Sequence, residues 1–170
     1  ILIMTTICFL LFEPCNCFVF PLNIQNIFNI NKSPDVSIEV YNGSNTKNIS
    51  SFITNERYGN LPNNLYNEMI GMMDRDFSSR RKNSYSNLPF TILLAIKENN
   101  VVGVISVECC DINEQEENYP LISNLIVSSK MRRKGIAKLL TIRAEKIAKS
   151  FAYKNIYLFV NTENIPAIRL

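Results

Sequence analysis

A basic cluster around one glycine, Arg132-Arg133-Lys134-Gly135-Ile136-Ala137, is the part of the chain best suited to chemistry. It lies between an apolar run, Leu121 to Val127, and a run from Ile136 to Phe151 in which apolar residues recur at helical spacing. A strand that turns through glycine into a helix presents backbone N–H groups and the positive end of the helix dipole. Such a helix start binds phosphate, and the neighbouring cationic side chains suit a pyrophosphate.

Residue type within this cluster fits the same chemistry. Gly135 lets the backbone approach a phosphate closely and adopt a positive φ. A small residue at Ala137 keeps the first helical turn open to a ligand. The alternative is a solvated basic loop that caps a helix.

The elements that position this cluster follow from periodicity. The sequence predicts strands at Val36 to Tyr41, Phe90 to Lys97 and Val101 to Glu108, the last two joined by a turn at residues 98–100, and a further strand at Ile156 to Val160. Helices are predicted at Thr46 to Thr54, with Thr46 or Asn45 as the cap, and from Leu61 to Phe77. Ser78 to Pro89 and Asp111 to Glu117 are predicted to be loops, and Gly103 predicts a bulge or a close approach.

Two motifs together resemble one family. The spacing Arg-x-x-Gly-x-Ala of residues 132–137 resembles the acetyl-CoA signature of the GNAT acetyltransferase superfamily. The segment Asn164 to Leu170 resembles the second GNAT motif, Asn-x-x-Ala-x-x-Leu-Tyr, and a helix and a strand separate the two. The resemblance is sharp over Tyr119 to Leu170 and loose over Val36 to Cys110.

The resemblance implies an α/β (α+β) GNAT fold. Its mixed central sheet is splayed between the fourth and fifth strands and flanked by helices. The family's C-terminal strands are missing from the chain, as is the tyrosine that would follow Leu170 and protonate the leaving thiolate. We therefore expect a C-terminally truncated GNAT domain over residues 35–170.

The resemblance also implies a site for acetyl-CoA as co-substrate. The backbone of Leu125, Ile126 and Val127 would pair with the pantetheine arm, with Leu125–Ile126 polarising the thioester carbonyl. The pyrophosphate would be held by the loop and first helical turn, namely Arg132, Arg133, Lys134, Gly135, Ile136, Ala137 and Lys138. Asn164 would reach the cofactor arm, act as a helix N-cap, or do both.

The general base is the open question in the sequence. Bacterial ribosomal-protein alanine acetyltransferases, which this segment resembles, carry a glutamate where this chain has Phe159. The remaining catalytic candidates are Glu108, Tyr119 and Ser123, with Glu116 or Glu117 acting through water. The alternative for each is a structural or solvated side chain.

Composition excludes several other mechanisms. The chain has 170 residues, 46% of them hydrophobic, as expected of one globular domain. Its net charge of +3 is too small to indicate nucleic-acid binding. Without histidine it cannot form a His-dependent triad, and its five cysteines show neither zinc spacing nor a disulfide framework, so no metal is expected.

Residues 1–34 differ from the rest of the chain. Ile1 to Phe20 is apolar but interrupted by Glu13 and Pro14, which favours a signal-peptide core over a membrane span. An acid-poor stretch follows, and the two together resemble the leader of proteins sent to a relict plastid of the apicoplast type. The alternatives are a secretory leader, or a cytoplasmic protein with a misjudged gene start.

The function that follows is acetyl-CoA-dependent transfer of an acetyl group directly to a primary amine. A protein N-terminal α-amine or a lysine is the expected acceptor, because the segments resemble plastid-type GNATs that act on such amines. The alternatives are a small-molecule amine acetyltransferase and a non-catalytic GNAT-like module that binds acyl-CoA. We expect no nucleic-acid partner and no stable membrane insertion of the mature domain.

Overall fold

The computed structural model describes residues 17–23, 35–43, 46–82, 90–111 and 118–168. Strands and helices follow each other in the order that the family resemblance implies, with one additional strand in front. In chain order the elements are β1 (Cys17–Asn23), β2 (Ser37–Val40), α1 (Lys47–Tyr58), α2 (Asn63–Lys82), β3 (Thr91–Lys97), β4 (Asn100–Asp111), β5 (Asn118–Val127), a 3-10 turn (Ser129–Met131), α3 (Ile136–Ser150), β6 (Asn155–Asn161) and α4 (Ile165–Ile168).

The strands form one mixed sheet in the order β1-β6-β5-β4-β3-β2. All neighbours are antiparallel except β5 and β6, which run parallel and are connected through α3. The predicted fold class is therefore confirmed. The predicted fourth and fifth strands are β5 and β6, and they pair only at Leu121 with Tyr157 and at Ile122 with Leu158. Beyond these positions the two strands diverge, which is the expected splay.

Alternation along the strands divides the core between the two faces of the sheet. In β3, Leu93 and Ala95 pack toward α3, while Ile92 and Leu94 pack toward α1 and α2. The α3 side is completed by fully buried residues at helical spacing, namely Ile136, Leu140, Ala144 and Ala148. Phe151, predicted on the same face, lies just after the helix and is 38% exposed.

Gly103 in β4 marks a close approach between the sheet and α3, as its position in the sequence predicts. A Cβ there would lie 3.1 Å from Leu140 Cδ1, 3.2 Å from Ile136 Cγ2 and 3.3 Å from Ala95 Cβ. The register between β3 and β4 also shifts next to this glycine. The bulge, one of the two predicted alternatives, is therefore present, and the close contacts at Gly103 are made by side chains.

The predicted hairpin turn is a two-residue turn between β3 and β4. Lys97 pairs with Asn100, and the two residues between them, Glu98 and Asn99, have φ values of 49° and 62°. Positive φ at both central positions is the geometry of a type I′ turn, whose twist matches that of the strands.

Several predicted boundaries are wrong by a few residues. Helix α1 continues past Thr54 to Tyr58, and β5 begins three residues before Leu121. Thr46 is the N-cap of α1 by position, but its hydroxyl donates to Asp74 Oδ1 at 2.5 Å and makes no capping bond. A tertiary partner on α2 replaces the local one.

The predicted loop Ser78 to Pro89 is wrong in its first part, because α2 continues to Lys82. The basic residues Arg80, Arg81 and Lys82 lie in its last turn, where cations favour the helix dipole. Arg81 also donates to Tyr41 O at 2.7 Å and to Gly43 O. Residues 83–89 lie outside the described residues.

The predicted leader contains the additional strand. Cys17–Asn23 is β1 and pairs along its whole length with β6. Strand β1 therefore lies within the predicted leader, and the domain boundary at residue 35 stays a prediction. Among the described residues, no helix is both long and apolar enough to cross a membrane.

Candidate active site

A bulge in β5 lies at the centre of the site. Val104 pairs with Ile126 and Ser106 pairs with Ser123, so β5 has one more residue than β4 between these pairs. Asn124, within the bulge, has φ 53°, is 6% exposed and donates from Nδ2 to Ser106 Oγ at 3.1 Å. Asparagine tolerates a left-handed conformation better than most residues. The bulge redirects β5 where it separates from β6.

The open edge of β5 begins immediately after the last pair with β6. Leu125, Ile126 and Val127, predicted to meet the pantetheine arm, all lie in this unpaired stretch. The amide of Ser128 donates to Val102 O on β4 at 2.9 Å. Because the peptide is planar and trans, the carbonyl of Val127 points the opposite way, into the cleft. There it accepts from Arg132 Nε at 3.1 Å.

The predicted phosphate loop has the backbone geometry of an anion site. Arg133 and Gly135 have φ values of 62° and 79°, and Gly135 is the N-cap of α3. The predicted positive φ at Gly135 is therefore confirmed. Alternation between left-handed and other conformations turns successive amides toward one concave side. The first helical bond runs from Leu139 N to Gly135 O at 3.0 Å, so the preceding amides lie at the helix end.

Space above the loop suits a ligand. A Cβ on Gly135 would meet no atom within 4 Å, so the backbone is open to contact there. Arg132, Arg133 and Lys134 are all exposed around it, and Ile136 is buried as the first core residue of α3. The residues present therefore fit a pyrophosphate, with the cations at its rim.

Helix α1 supports this loop through Glu56, which the sequence analysis does not single out. Glu56 Oε2 accepts from Ser129 N at 2.8 Å and lies 3.8 Å from Arg132 Nη2. The Glu56 side chain is 12% exposed, whereas Arg132 is 57% exposed. A carboxylate thus holds the 3-10 turn beside the loop. No local sequence signal identifies it, because 73 residues separate Glu56 from Ser129.

Asn164, the other predicted cofactor residue, caps α4. Its Oδ1 accepts from Ala167 N at 3.2 Å, and its carbonyl accepts from Ile168 N at 3.1 Å. The N-cap interpretation is therefore confirmed. Contact with a cofactor arm stays a prediction.

Two of the three catalytic candidates come together on the sheet face that carries α1 and α2. Glu108 pairs with Leu121 and Ser106 pairs with Ser123, so these side chains share one face. Ser123 Oγ lies 2.8 Å from Ser106 Oγ, and hydrogen bonding by Ser123 lowers the pKa of Glu108. The third candidate, Tyr119, packs edge-to-face on Tyr157 with ring centroids 5.3 Å apart. Glu116 and Glu117 lie outside the described residues.

Glu108 is buried beneath the last turn of α2. Its side chain is 12% exposed and pairs with Arg80, which also binds Asp76 Oδ2 at 2.9 Å. Burial raises the pKa of Glu108 above its usual value, and Asp76 raises it further, while Arg80 and the Ser123 hydroxyl oppose the rise. Arg80 and Asp76 were not among the predicted site residues. Their i, i+4 spacing is a sequence signal for the pair, but not for its contact with β4.

Phe159, where the resemblance places a glutamate in related enzymes, is 47% exposed. It shares a face of β6 with Tyr157 and therefore faces the same side as Glu108. On the sheet face that carries α1 and α2, the side chains beside the splay are thus aromatic on β6 and polar on β4 and β5.

Cys109 is half-buried on the α3 side of the sheet. Its thiol donates to Tyr153 Oη at 3.1 Å. No group of three His, Cys, Asp or Glu side chains that could hold a metal occurs within the described ranges.

Comparison with known families identifies the domain. The model of the acetyltransferase (GNAT) family matches residues 57–170, which include the bulged strand and the phosphate loop. The chain belongs to the GNAT acetyltransferase family. Among curated proteins, no relative matches.

Solved structures share the fold of this GNAT chain. A predicted acetyltransferase from Clostridium acetobutylicum, solved with acetyl-CoA, has 18% identity and a TM-score of 0.59, covering 79% of this chain and 86% of its own. A GNAT family acetyltransferase from Staphylococcus aureus has 21% identity and a TM-score of 0.54, covering 78% and 91%. An aminoglycoside acetyltransferase from an uncultured soil metagenomic sample has 23% identity and a TM-score of 0.52, covering 78% and 87%. At these identities the similarity concerns the fold.

Proposed function

We propose that this GNAT chain uses acetyl-CoA to acetylate a primary amine directly, and that the amine is a protein N-terminal α-amine or a lysine. The observation that carries the proposal is the junction of the bulged edge of β5 with the left-handed loop at Gly135. The edge of β5 offers backbone groups to the extended pantetheine arm of acetyl-CoA. The loop at Gly135 offers amides and cations to the pyrophosphate.

The chain's own groups divide the work as follows. Arg132 to Lys138 hold the pyrophosphate through backbone amides, with the exposed cations at the rim. The backbone of Leu125 to Val127 aligns the arm, and a fixed N–H at the bulge stabilises the charge that develops on the thioester oxygen. Transfer then needs alignment and a neutral amine, since a thioester reacts with an amine without a covalent enzyme intermediate.

An open acceptor side supports a macromolecular amine. Helices α1 and α2 pack over β3, β4 and the end of β5. On the same face, β6 presents Tyr157, half-buried, and Phe159, 47% exposed. A peptide can lie along this aromatic surface with its amine at the cleft.

The first test is binding of acetyl-CoA to the full chain, measured as a thermal shift. A ligand that binds only the folded state raises the melting temperature. Gly135→Glu should abolish the shift, because it places a carboxylate in the anion loop and strains a left-handed position. Gly71→Glu is the matched control: Gly71 is half-buried in α2, and a glutamate there can pair with Arg75. A shift that survives Gly135→Glu would contradict the proposed cofactor site.

The second test is the acceptor. Acetyl-CoA consumption is measured with three probe sets: peptides with a free N-terminus and no lysine, Nα-acetylated peptides with one lysine, and the small amines spermidine and glucosamine. Turnover confined to peptides supports the proposal. Turnover confined to small amines identifies a small-molecule enzyme, and binding without any turnover identifies a non-catalytic acyl-CoA-binding module.

We also propose that residues 1–34 direct the chain to a plastid-like organelle. The support is the apolar run and the acid-poor stretch after it. Mass spectrometry of the mature protein purified from its native cells gives the test. A mature N-terminus near residue 34 supports a cleaved leader, whereas recovery of Cys17–Asn23 means that β1 stays in the sheet.

A further inference from the structure

A continuous polar chain crosses the sheet from the bulge to helix α2. Asn124 Nδ2 donates to Ser106 Oγ at 3.1 Å, and Ser106 Oγ lies 2.8 Å from Ser123 Oγ. Glu108 lies on the same face of the paired strands as Ser106 and Ser123, and it pairs with Arg80. Hydrogen bonding by Ser123 lowers the pKa of Glu108. No buried side-chain nitrogen or oxygen lacks a partner within the part of the chain that the structure describes.

The two ends of this chain fix its direction. An amide Nδ2 can only donate, and an ionised carboxylate can only accept. The hydroxyl hydrogen of Ser123 therefore points to Glu108. Ser106 has one hydrogen, which it gives either to Ser123 Oγ or to the carbonyl of Ser123 at 3.0 Å. In both arrangements Ser123 Oγ keeps a lone pair that is free to accept from a further donor.

Ser123 also lies where a further donor can arrive. The residue before it, Ile122, makes the last pair with β6, and the residue after it, Asn124, is in the bulge. Ser123 is thus the first residue of β5 beside the open cleft, and it is half-buried. Glu108 is one strand further in and pairs with Arg80 of α2, so Ser123 lies between it and an amine in the cleft.

We propose that Ser123 relays a proton from the acceptor amine to Glu108, with Arg80 and Asp76 as the positioning pair that holds the carboxylate. This inference rests on the proposed acetyl transfer. Ser123 is the catalytic residue, because it touches the amine. Glu108 is the proton acceptor behind it.

The step balances as follows. An N–H bond of the ammonium breaks as Ser123 Oγ takes the proton and gives its own hydroxyl proton to Glu108. The freed lone pair attacks the thioester carbon, the C–N bond forms, and the C–S bond breaks. The thiolate leaves with the second amine proton, and Glu108 releases its proton to solvent. The products are the amide, the free thiol and one proton.

The positioning pair gives a test that a merely structural role would not pass. Arg80 and Asp76, both on α2, are the charged groups that act on Glu108 among the described residues, and β5 contributes the Ser123 hydroxyl. Arg80→Gln and Asp76→Asn break the same ion pair. Arg80 lowers the pKa of Glu108 and Asp76 raises it. Since relay needs ionised Glu108, the acid limb of kcat/KM should move to higher pH in Arg80→Gln and to lower pH in Asp76→Asn.

The relay residues are tested on the full chain with acetyl-CoA and whichever probe amine is turned over. Glu108→Gln should lower kcat by about 10²- to 10⁴-fold and remove the acid limb. Ser123→Ala should give a similar loss, and Ser123→Thr, which keeps the hydroxyl on a strand, should restore most of it. Glu39→Gln on exposed β2 is the control and should leave the profile unchanged.

The outcomes separate the two proposals. No turnover by the wild type with any probe overturns the proposed function and the relay with it. If turnover occurs but the acid limbs of Arg80→Gln and Asp76→Asn move in the same direction, or do not move, the relay alone is overturned. Carbon-detected NMR titration of the Glu108 carboxyl should show the same opposite shifts without turnover. Their absence there would also overturn the role of the positioning pair.

Discussion

Along β5, the edge that faces β4 is paired from Asn118 to Val127 with one interruption, whereas the edge that faces β6 is paired only at Leu121 and Ile122. One strand therefore belongs to two different environments. Its β4 edge is part of a packed sheet, and its β6 edge is unpaired with β6 after Ile122, where the proposed cofactor arm would lie. Asn124 lies in the interruption that separates these roles.

The difference shows how the fold makes a binding site without weakening its core. The sheet stays continuous through β4, where Gly103 allows α3 to approach closely. The opening is confined to one edge, and the end of β5 leads directly into the phosphate loop. Variants that affect one edge and spare the other test this division.

The largest effect is expected at Gly103, on the packed side. Gly103→Val should lower the free energy of unfolding by about 2 to 3 kcal/mol. A Cβ at this position would already lie 3.1 to 3.3 Å from neighbouring side chains, so the larger valine side chain does not fit. Gly103→Ala should cost less. Urea denaturation measures both. Valine is a strong strand former, so a valine variant as stable as the alanine variant would show that α3 does not press on this position.

The bulge gives the next effect. Asn124→Ala and Asn124→Gly both delete the amide that donates to Ser106, but only alanine is strained at φ 53°. Asn124→Ala should therefore be less stable than Asn124→Gly by about 1 to 2 kcal/mol. Equal stabilities in urea would mean that the residue does not hold a left-handed conformation.

On the ligand side, Gly135→Ala tests the anion loop. The added methyl meets no protein atom, but it is strained at φ 79° and lies where the proposed pyrophosphate would approach the backbone. We expect affinity for acetyl-CoA to fall about tenfold, which corresponds to roughly 1.4 kcal/mol. Isothermal titration calorimetry measures it. Gly71→Ala in α2 is the control, where alanine suits a helix, and a loss of affinity there would make the effect non-specific.

The smallest effect concerns ionisation on the covered α3 side. The hydrogen bond with Cys109, burial and the charge of an ionised Cys109 raise the pKa of Tyr153 from 10.0 to about 12. Between these values the folded state keeps a proton that the unfolded state releases, so Tyr153 lowers stability as the pH rises from 10 to 12. In Cys109→Ala, a pH titration followed by tyrosinate absorbance should show one tyrosine whose pKa is closer to 10. Tyr153→Phe assigns it, and an unchanged titration would exclude the contact.

Sequence patterns predict much of the framework. The hairpin, the buried face of α3, the glycine with positive φ and the bulge beside Gly103 all follow from short-range preferences. The hairpin turn has two residues, Glu98 and Asn99, and not the three predicted. Errors occur where a distant partner prevails over a local preference. Thr46 bonds to Asp74 instead of capping α1, and α2 continues into the basic segment because Arg81 binds the backbone near Tyr41.

The candidate site divides in the same way. The left-handed conformation at Gly135 could be predicted because a left-handed glycine before a helix is encoded locally. Pyrophosphate binding by residues 132–137 stays a prediction. The chain from Asn124 to Arg80 could not be predicted, since it needs α2, β4 and β5 to meet. Local conformational preference specifies a phosphate loop; only the packing of distant segments in the tertiary structure buries Glu108 and gives it Ser123 and Arg80 as neighbours.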